Sequence, residues 1–262
     1  FVSNRDSTRI RISAISNPTT SPSISSSNVS VPAYSWPDGA PNLGGTLDTL
    51  DGRIMNALWR DGSLYTCHAV SGGAGSVARW YRFETQNWPV SGSLSLGESG
   101  EITTLEGHDT FYPAIAANVR GDAAVVLGAA RSSEYPSIRV AGRRDSDSPG
   151  TMGGLTQVAI GDAGSDGRWG DYFDMTVDPN DDTRFWFVGE YARDYGWQTW
   201  VGSMTVTCVE DINGDGAVSI EDLLAVIAAW GTDGNGAEIA APYNITDISD
   251  LLGVVAAFGN CP

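Results

Sequence analysis

Short apolar runs, separated by turns rich in Gly, Asp and Asn, make up residues 1–207. Three stretches share one pattern, in which an apolar strand, a polar turn and a second strand follow each other: 56–65, 116–125 and 176–186. This pattern predicts three β-hairpins. A further strand is predicted downstream of each hairpin, at 79–83, 137–140 and 198–201.

The hairpins recur about every sixty residues. Such a period favours a β-propeller, in which each repeat forms one sheet, and the alternative is a β-sandwich. A fourth strand, at 8–12, has no hairpin before it, so we expect N-terminal blades to be missing from this chain. The serines within 21–27 predict an exposed loop between blades.

A helical period replaces the strand pattern after residue 208. Residues 222–231 recur as 250–259, 28 positions later in the chain. Apolar residues recur there at i, i+3, i+4 and i+7, which predicts two amphipathic helices that pack on each other. The residues of the two apolar stripes are Leu223, Val226, Ile227, Trp230, Leu251, Val254, Val255 and Phe258. The fold class expected for the chain is mainly β, followed by a small α-helical domain.

The charges support a boundary at the same place. Residues 1–207 hold all 15 arginines against 23 acids, whereas 208–262 hold 9 acids and no base. We therefore predict two domains, 1–207 and 208–262. The net charge of -17 argues against nucleic acid and anionic membranes as partners. No run of about 18 apolar residues is present, so no membrane span is predicted.

The cysteines divide between the two predicted domains. Cys208 and Cys261 bracket the second domain, and we expect them to form a disulfide in an oxidising compartment, although two free thiols are the alternative. Cys67 lies beside His68 in a predicted strand, where adjacent side chains point to opposite faces. A structural role is therefore expected for this pair.

The strongest motif of the chain is a twelve-residue loop at 211–222. Calcium takes six to eight oxygen ligands, and such a loop supplies them from positions 1, 3, 5, 7, 9 and 12. Gly216 falls at position 6, where the chain turns sharply. The predicted ligands are Asp211, Asn213, Asp215, the carbonyl of Ala217, Ser219 and Asp222.

This loop, followed by a helix and repeated once, resembles a dockerin, a small module built from two calcium loop–helix repeats. The closing sequence 259–262 resembles the Gly-Cys-ending variant on secreted planctomycete-type proteins. The resemblance implies Ca²⁺ as cofactor, an extracellular location, and a cohesin-like domain or a surface complex as partner. Partner contacts in this family lie along the exposed helix faces and at loop positions 10 and 11, which are Ile220 and Glu221 in the first repeat.

The second loop departs from that pattern. It keeps Asp247 at position 9 and Asp250 at position 12, but Tyr243, Ala241 and Ile239 occupy positions 5, 3 and 1. We therefore expect this half-site to bind calcium weakly or not at all.

A cluster of acidic and aromatic residues near 168–191 resembles the blades of sialidase-like or BNR-like propellers. The resemblance implies a glycan site at the ring centre, with these candidates: Asp171, Tyr172, Asp174, Glu190 and Tyr191. Aromatic rings stack on the apolar faces of sugars, and carboxylates accept hydrogen bonds from hydroxyl groups. The repeated Asp-box of true sialidases is absent from the sequence.

Three functions are consistent with these patterns. In the first, a calcium-ordered dockerin attaches a propeller that binds glycan or protein, in a secreted protein of polysaccharide breakdown. In the second, the propeller is a glycoside hydrolase with its carboxylates at the ring centre, which requires two carboxyl groups at a defined separation. The third is a structural surface protein. The sequence leaves open whether the chain is an enzyme.

Overall fold

The computed structural model describes the chain except residues 74, 104–106, 166, 171–172, 195, 207–209, 214–216, 233–236, 238, 240–244 and 259–262, and the side chains of 167 and 168. The chain divides into two compact units, Phe1–Val206 and Thr207–Pro262. In the described residues, strands build the first unit and two helices lie in the second, so the prediction of a mainly β chain is confirmed. No helix within the described ranges is long and apolar enough to cross a membrane.

Seventeen strands lie in the described residues of the first unit. They are β1 (Val2–Asp6), β2 (Arg9–Ser16), β3 (Ser23–Ser30), β4 (Ala40–Asn42), β5 (Gly45–Asp48), β6 (Asn56–Arg60), β7 (Ser63–Ser71), β8 (Ser76–Glu84), β9 (Ser95–Ile102), β10 (Asp109–Ala117), β11 (Ala123–Arg131), β12 (Glu134–Arg143), β13 (Thr156–Ala159), β14 (Gly167–Arg168), β15 (Asp174–Val177), β16 (Arg184–Arg193) and β17 (Gly196–Thr205).

Four antiparallel meanders follow one another along the chain. We name them sheet I (β1–β2–β3), sheet II (β6–β7–β8–β9), sheet III (β10–β11–β12–β13) and sheet IV (β15–β16–β17). A small fifth sheet pairs β4 with β5 and adds β14 parallel to β5. The three predicted hairpins are confirmed as β6–β7, β10–β11 and β15–β16, and the strands predicted after them are β8, β12 and β17.

Local sequence explains why the first of these hairpins closes tightly. Arg60 pairs with Ser63, so only Asp61 and Gly62 form the turn. Both have positive φ, 45° and 82°. Two successive residues with positive φ make a type I′ turn, whose twist matches that of antiparallel strands and which favours Asp-Gly.

The sheets pack face to face in chain order, with one apolar core between each pair of neighbours. Representative core residues are Ile10 and Phe83 between sheets I and II, Trp80 and Leu127 between II and III, and Ile138 and Phe185 between III and IV. The strands β7 and β11 are buried along almost their whole length because both faces of their sheets are covered. Among the described residues, no strand of sheet I packs along a strand of sheet IV, so the stack is open.

Two expectations for the N-terminal region are wrong. The serine-rich stretch is not a loop, because Ser23–Ser30 forms β3 and pairs with β2 along its full length. The strand predicted at 8–12 does have a hairpin partner before it, namely β1. Serine is a poor strand signal, yet alternate residues of an edge strand need no apolar side chain when one face is open to solvent.

The second unit contains the helices α1 (Ile220–Ala229) and α2 (Ile248–Ala257), which contact each other. Their core is centred on Val218, Val226 and Val254, with Leu223 and Leu251 packed at its margin. The predicted stripes are therefore buried only in part. Four of their residues are about half exposed, namely Ile227 (51%), Trp230 (46%), Val255 (53%) and Phe258 (51%). Helices of ten residues bury one narrow stripe, and loop residues such as Ile212 and Ile239 occupy the rest of the core.

Candidate functional site

The start of α1 is fixed by a reciprocal set of hydrogen bonds. Ser219 is the N-cap, and its side chain accepts a hydrogen bond from the backbone N–H of Glu221 at 3.1 Å. The carboxylate of Asp222 accepts the N–H of Ser219 at 2.8 Å and that of Asn213 at 3.1 Å. This capping box ties the loop to the first turn of the helix.

The start of α2 repeats this arrangement 28 residues later. Asp247 caps the helix and accepts the N–H of Ser249 at 2.7 Å. The carboxylate of Asp250 accepts the N–H of Asp247 at 2.8 Å and that of Ile239 at 2.6 Å. The upstream donor differs in register, because Ile239 precedes Asp250 by eleven residues and Asn213 precedes Asp222 by nine.

Asp222 and Asp250 are buried, at 0% and 1% exposure. Burial alone would raise the pKa of Asp222, but hydrogen bonds from the backbone N–H groups of Asn213, Ser219 and Ile212 outweigh it and hold the pKa below its usual value. Asp222 is therefore a carboxylate at neutral pH. An ionised carboxylate is a hard oxygen donor of the kind that Ca²⁺ prefers.

The predicted calcium ligands are described only in part. Asp211, Asn213, Ala217, Ser219 and Asp222 lie in the described ranges, and Asp215 lies outside them. Within the described residues, no group of three or more His, Cys, Asp or Glu side chains is placed to hold a metal ion. The oxygen donors predicted for the first loop fit calcium by chemistry, since all are carboxylate, amide, carbonyl or hydroxyl oxygens.

The two helices also carry an apolar surface that lies outside the core. Ile220, Leu224 and Ile227 occupy i, i+4 and i+7 of α1 and are 54%, 55% and 51% exposed. The same positions of α2 hold Ile248, Leu252 and Val255, which are 53%, 58% and 53% exposed. We call these six residues the exposed helix stripes. Of these six residues, Ile227 and Val255 were predicted to lie in the core, and that part of the prediction is wrong.

Of the three cysteines, only Cys67 lies in the described residues. Cys208 and Cys261 lie outside the described residues. Cys67 is a buried free thiol, and burial raises its pKa far above the usual value, so it is not nucleophilic at neutral pH. His68 is also buried, at 1% exposure.

The described members of the predicted glycan cluster do not form one pocket. Glu190 and Tyr191 are buried, at 2% and 5% exposure. Glu190 accepts the N–H of Gly170 at 3.2 Å, and the Tyr191 hydroxyl donates to Gln198 at 3.1 Å. Asp174 is exposed at the start of β15. Asp171 and Tyr172 lie outside the described residues.

Among the described glycan-site candidates, only Asp174 lines a described cavity. That cavity has a volume of about 210 Å³ and lies on sheet IV, where Trp186 and Val201 also line it. Trp186 lies within the acidic and aromatic cluster near 168–191 but was not among the predicted site residues. An exposed tryptophan in an alternating strand was the available signal.

Searches against protein-family models, curated proteins and solved structures found no match to this chain.

Proposed function

We propose that the second unit is a calcium-ordered docking module of the dockerin type. It attaches the β-sheet unit to a cohesin-like domain or a surface complex outside the cell. The observation that carries this proposal is the duplication, 28 residues apart, of a carboxylate-capped helix start together with an exposed apolar stripe.

Calcium binding is assigned to the first loop, through Asp211, Asn213, Asp215, Ala217, Ser219 and Asp222. The capping hydrogen bonds support this assignment, because Asp222 links the loop to the first turn of α1 through them. The second half-site, with Asp247 and Asp250, lacks the early carboxylates and contributes little. Extracellular calcium modules bind with dissociation constants of about 10⁻⁴–10⁻³ M, and we expect the first loop in that range.

Docking is assigned to the exposed helix stripes. A small soluble unit rarely leaves two parallel sets of Ile, Leu and Val half exposed, and such patches mark contact with another protein. The stripes carry no charge, whereas acids occupy the helix starts. A partner with an apolar groove and a basic rim therefore fits this surface.

For the first unit, we propose that sheets I to IV are blade-like repeats of an open, propeller-like stack. Four successive meanders, each packed on the next in chain order, support this architecture. We propose that this unit binds a glycan or a protein rather than hydrolysing a glycan, because the carboxylate of Glu190 is buried and already accepts a backbone hydrogen bond.

Calcium titration of the full chain by isothermal calorimetry tests the metal assignment. Asp211→Ala should abolish the heat of binding, and Asp247→Ala, the matched change in the second loop, should alter it little. Two equal sites in the unmodified protein would show that the second loop is misassigned. No binding at millimolar calcium would remove the metal from the proposal.

Surface plasmon resonance against a panel of immobilised cohesin domains tests docking. Leu224→Glu and Leu252→Glu together should abolish a signal that requires calcium and is lost with EDTA. Leu43→Glu is the matched control, since Leu43 is 52% exposed in the other unit. Equal loss in the control, or binding unaffected by the stripe variants, would contradict this role.

A further inference from the structure

Sheet IV is the last sheet of the stack, and among the described residues no other sheet covers its second face. On it lie Asp174, Val188 and Val201, paired in one row across the three strands, and Thr176, Trp186 and Ser203, paired in the next. We call these six residues the outer face of sheet IV. Trp186 is 41% exposed and Val201 is 66% exposed. The cavity of about 210 Å³ lies between these two rows.

The composition of the outer face of sheet IV differs from that of the faces buried between sheets. The gap between sheets II and III is filled by Ala, Val, Leu, Ile and aromatic residues. Asp174, Thr176 and Ser203 place a carboxylate and two hydroxyls around Trp186 on the outer face instead. Covering them with another sheet would desolvate these polar groups without partners. A ligand that presents apolar C–H groups and hydroxyls satisfies both kinds of residue.

The indole of Trp186 is held in place before any ligand arrives. Its Nε1–H donates to Asp178 at 2.7 Å. Asp178 in turn accepts the backbone N–H groups of Asn180 and Asp181 at 2.8 and 3.3 Å, which fixes it within the β15–β16 turn. A ring that is already ordered loses little conformational freedom on binding.

Asp174 is oriented in the same way from the other side of the cavity. Its Oδ1 accepts the side-chain amide of Asn56 at 2.8 Å and the backbone N–H of Met175 at 2.9 Å. Its carboxylate is therefore fixed beside Val188 and Val201, where it can accept hydrogen bonds from a ligand.

We propose that the outer face of sheet IV binds a neutral polysaccharide. Trp186 stacks on the apolar face of a sugar ring, Val201 packs beside it, and Asp174 and Thr176 bond to hydroxyl groups. An anionic polysaccharide is disfavoured because the unit carries 15 arginines against 23 acids and the site itself presents a carboxylate. This inference concerns the first unit and does not depend on docking by the second.

Affinity gel electrophoresis of the full chain tests the proposal. The gels contain mixed-linkage β-glucan, xyloglucan or galactomannan, with heparin as the anionic comparison. We expect at least one neutral polysaccharide to retard the protein and heparin not to. Trp186→Ala should weaken retention roughly tenfold, the effect of losing about 1.4 kcal/mol of stacking. Asp174→Asn should weaken it less.

Trp59→Ala is the matched control. Trp59 is 61% exposed, and its indole N–H also donates to a side chain, that of Thr85 at 2.9 Å, but it does not line the cavity. Retention should be unchanged in this variant. If Trp186→Ala lowers the melting temperature, Val201→Arg blocks the cavity from an exposed position and should abolish retention with the fold intact.

Three results would overturn the proposal. The first is that none of the three neutral polysaccharides retards the protein. The second is that Trp59→Ala and Trp186→Ala lose retention equally. The third is that the protein self-associates in sedimentation and Val201→Arg makes it monomeric, which would assign the outer face of sheet IV to a protein interface.

Discussion

The imidazole of His68 is fixed by two hydrogen bonds in the core of the first unit. Its Nδ1 lies 2.7 Å from the carbonyl oxygen of Gly52, and its Nε2 lies 3.0 Å from the Tyr81 hydroxyl. Because a carbonyl only accepts, Nδ1 carries the proton and Nε2 accepts from Tyr81. The ring also meets Tyr34 edge-on at 4.7 Å. Burial, reinforced by the charge of Arg79, lowers the pKa of His68 to about 4.

This pKa predicts a loss of stability in mild acid. In the unfolded chain His68 titrates near pH 6.5, whereas the folded protein keeps it neutral down to about pH 4. The stabilising effect is complete above pH 6.5 and is lost as the pH falls towards 4, because the unfolded state then binds the extra proton. The expected loss across this window is about 3 kcal/mol.

Urea unfolding between pH 7 and pH 4 measures this loss. The comparison is with His68→Gln, which keeps one donor and one acceptor but does not titrate. Carboxylates contribute equally to both proteins, so the difference between their pH slopes belongs to His68. Parallel slopes would show that the ring is already protonated in the folded state or is not buried in solution.

At the scale of the elements, the sequence predicted those strands whose apolar residues recur with the repeat. It did not predict β9 and β13, the fourth strands of sheets II and III. The segment Ser95–Ile102 reads SLGESGEI, and its residues are mostly half exposed or exposed. Strands at the edge of a sheet are stabilised by backbone pairing more than by side-chain burial, so composition gives little sign of them.

For the helices, the sequence pattern predicted the elements but not the full set of buried residues. Both were predicted because apolar residues recur at i, i+3, i+4 and i+7, and α1 begins at Ile220, three residues before Leu223, the first residue of its predicted stripe. Which apolar face is buried depends on what the loops contribute. Ile212 and Ile239 enter the core from outside the helices and leave Ile227 and Val255 half exposed. The helical period alone does not predict which helix residues are left exposed when loop residues occupy part of the core.

The start of α1 provides a test that separates capping from metal binding. Asp222→Asn replaces one carboxylate oxygen with an NH₂ group, which cannot accept the N–H of Ser219 or Asn213. Because the site is buried, we expect the second unit to lose about 1–3 kcal/mol, even with EDTA present. Glu221→Gln is the matched control at an exposed neighbouring position. Thermal unfolding followed at 222 nm measures both, and equal stability of the two variants would contradict the capping role.

At the scale of the whole molecule, charge and composition carried more information than any single motif. The loss of all arginines after Arg193 and the change from strand to helix period both point to a boundary near residue 207, and the two compact units meet between Val206 and Thr207. The stacking order of the sheets was implied by the repeat. The site residues were not predictable in the same way, because Glu190 and Asp174 are both acids next to strands and only packing makes one buried and the other exposed.

Each unit has its own apolar core, so we expect the full chain to unfold in two calorimetric transitions. At about 0.7 kcal/mol per residue, the heats should be near 140 kcal/mol for the β-sheet unit and near 40 kcal/mol for the helical unit, which identifies each transition by its area. Calcium at about one hundred times its dissociation constant adds about 2.7 kcal/mol to the state that binds it.

For a unit of this size, that stabilisation raises the melting temperature by about 20 °C. The smaller transition alone should move when calcium replaces EDTA, because the proposed ligands all belong to the helical unit. In Asp211→Ala, the melting temperature of the smaller transition should be the same in calcium as in EDTA, and that of the larger transition should not change. A calcium shift confined to the larger transition would place the metal in the β-sheet unit, and a single transition would mean that the two cores unfold as one.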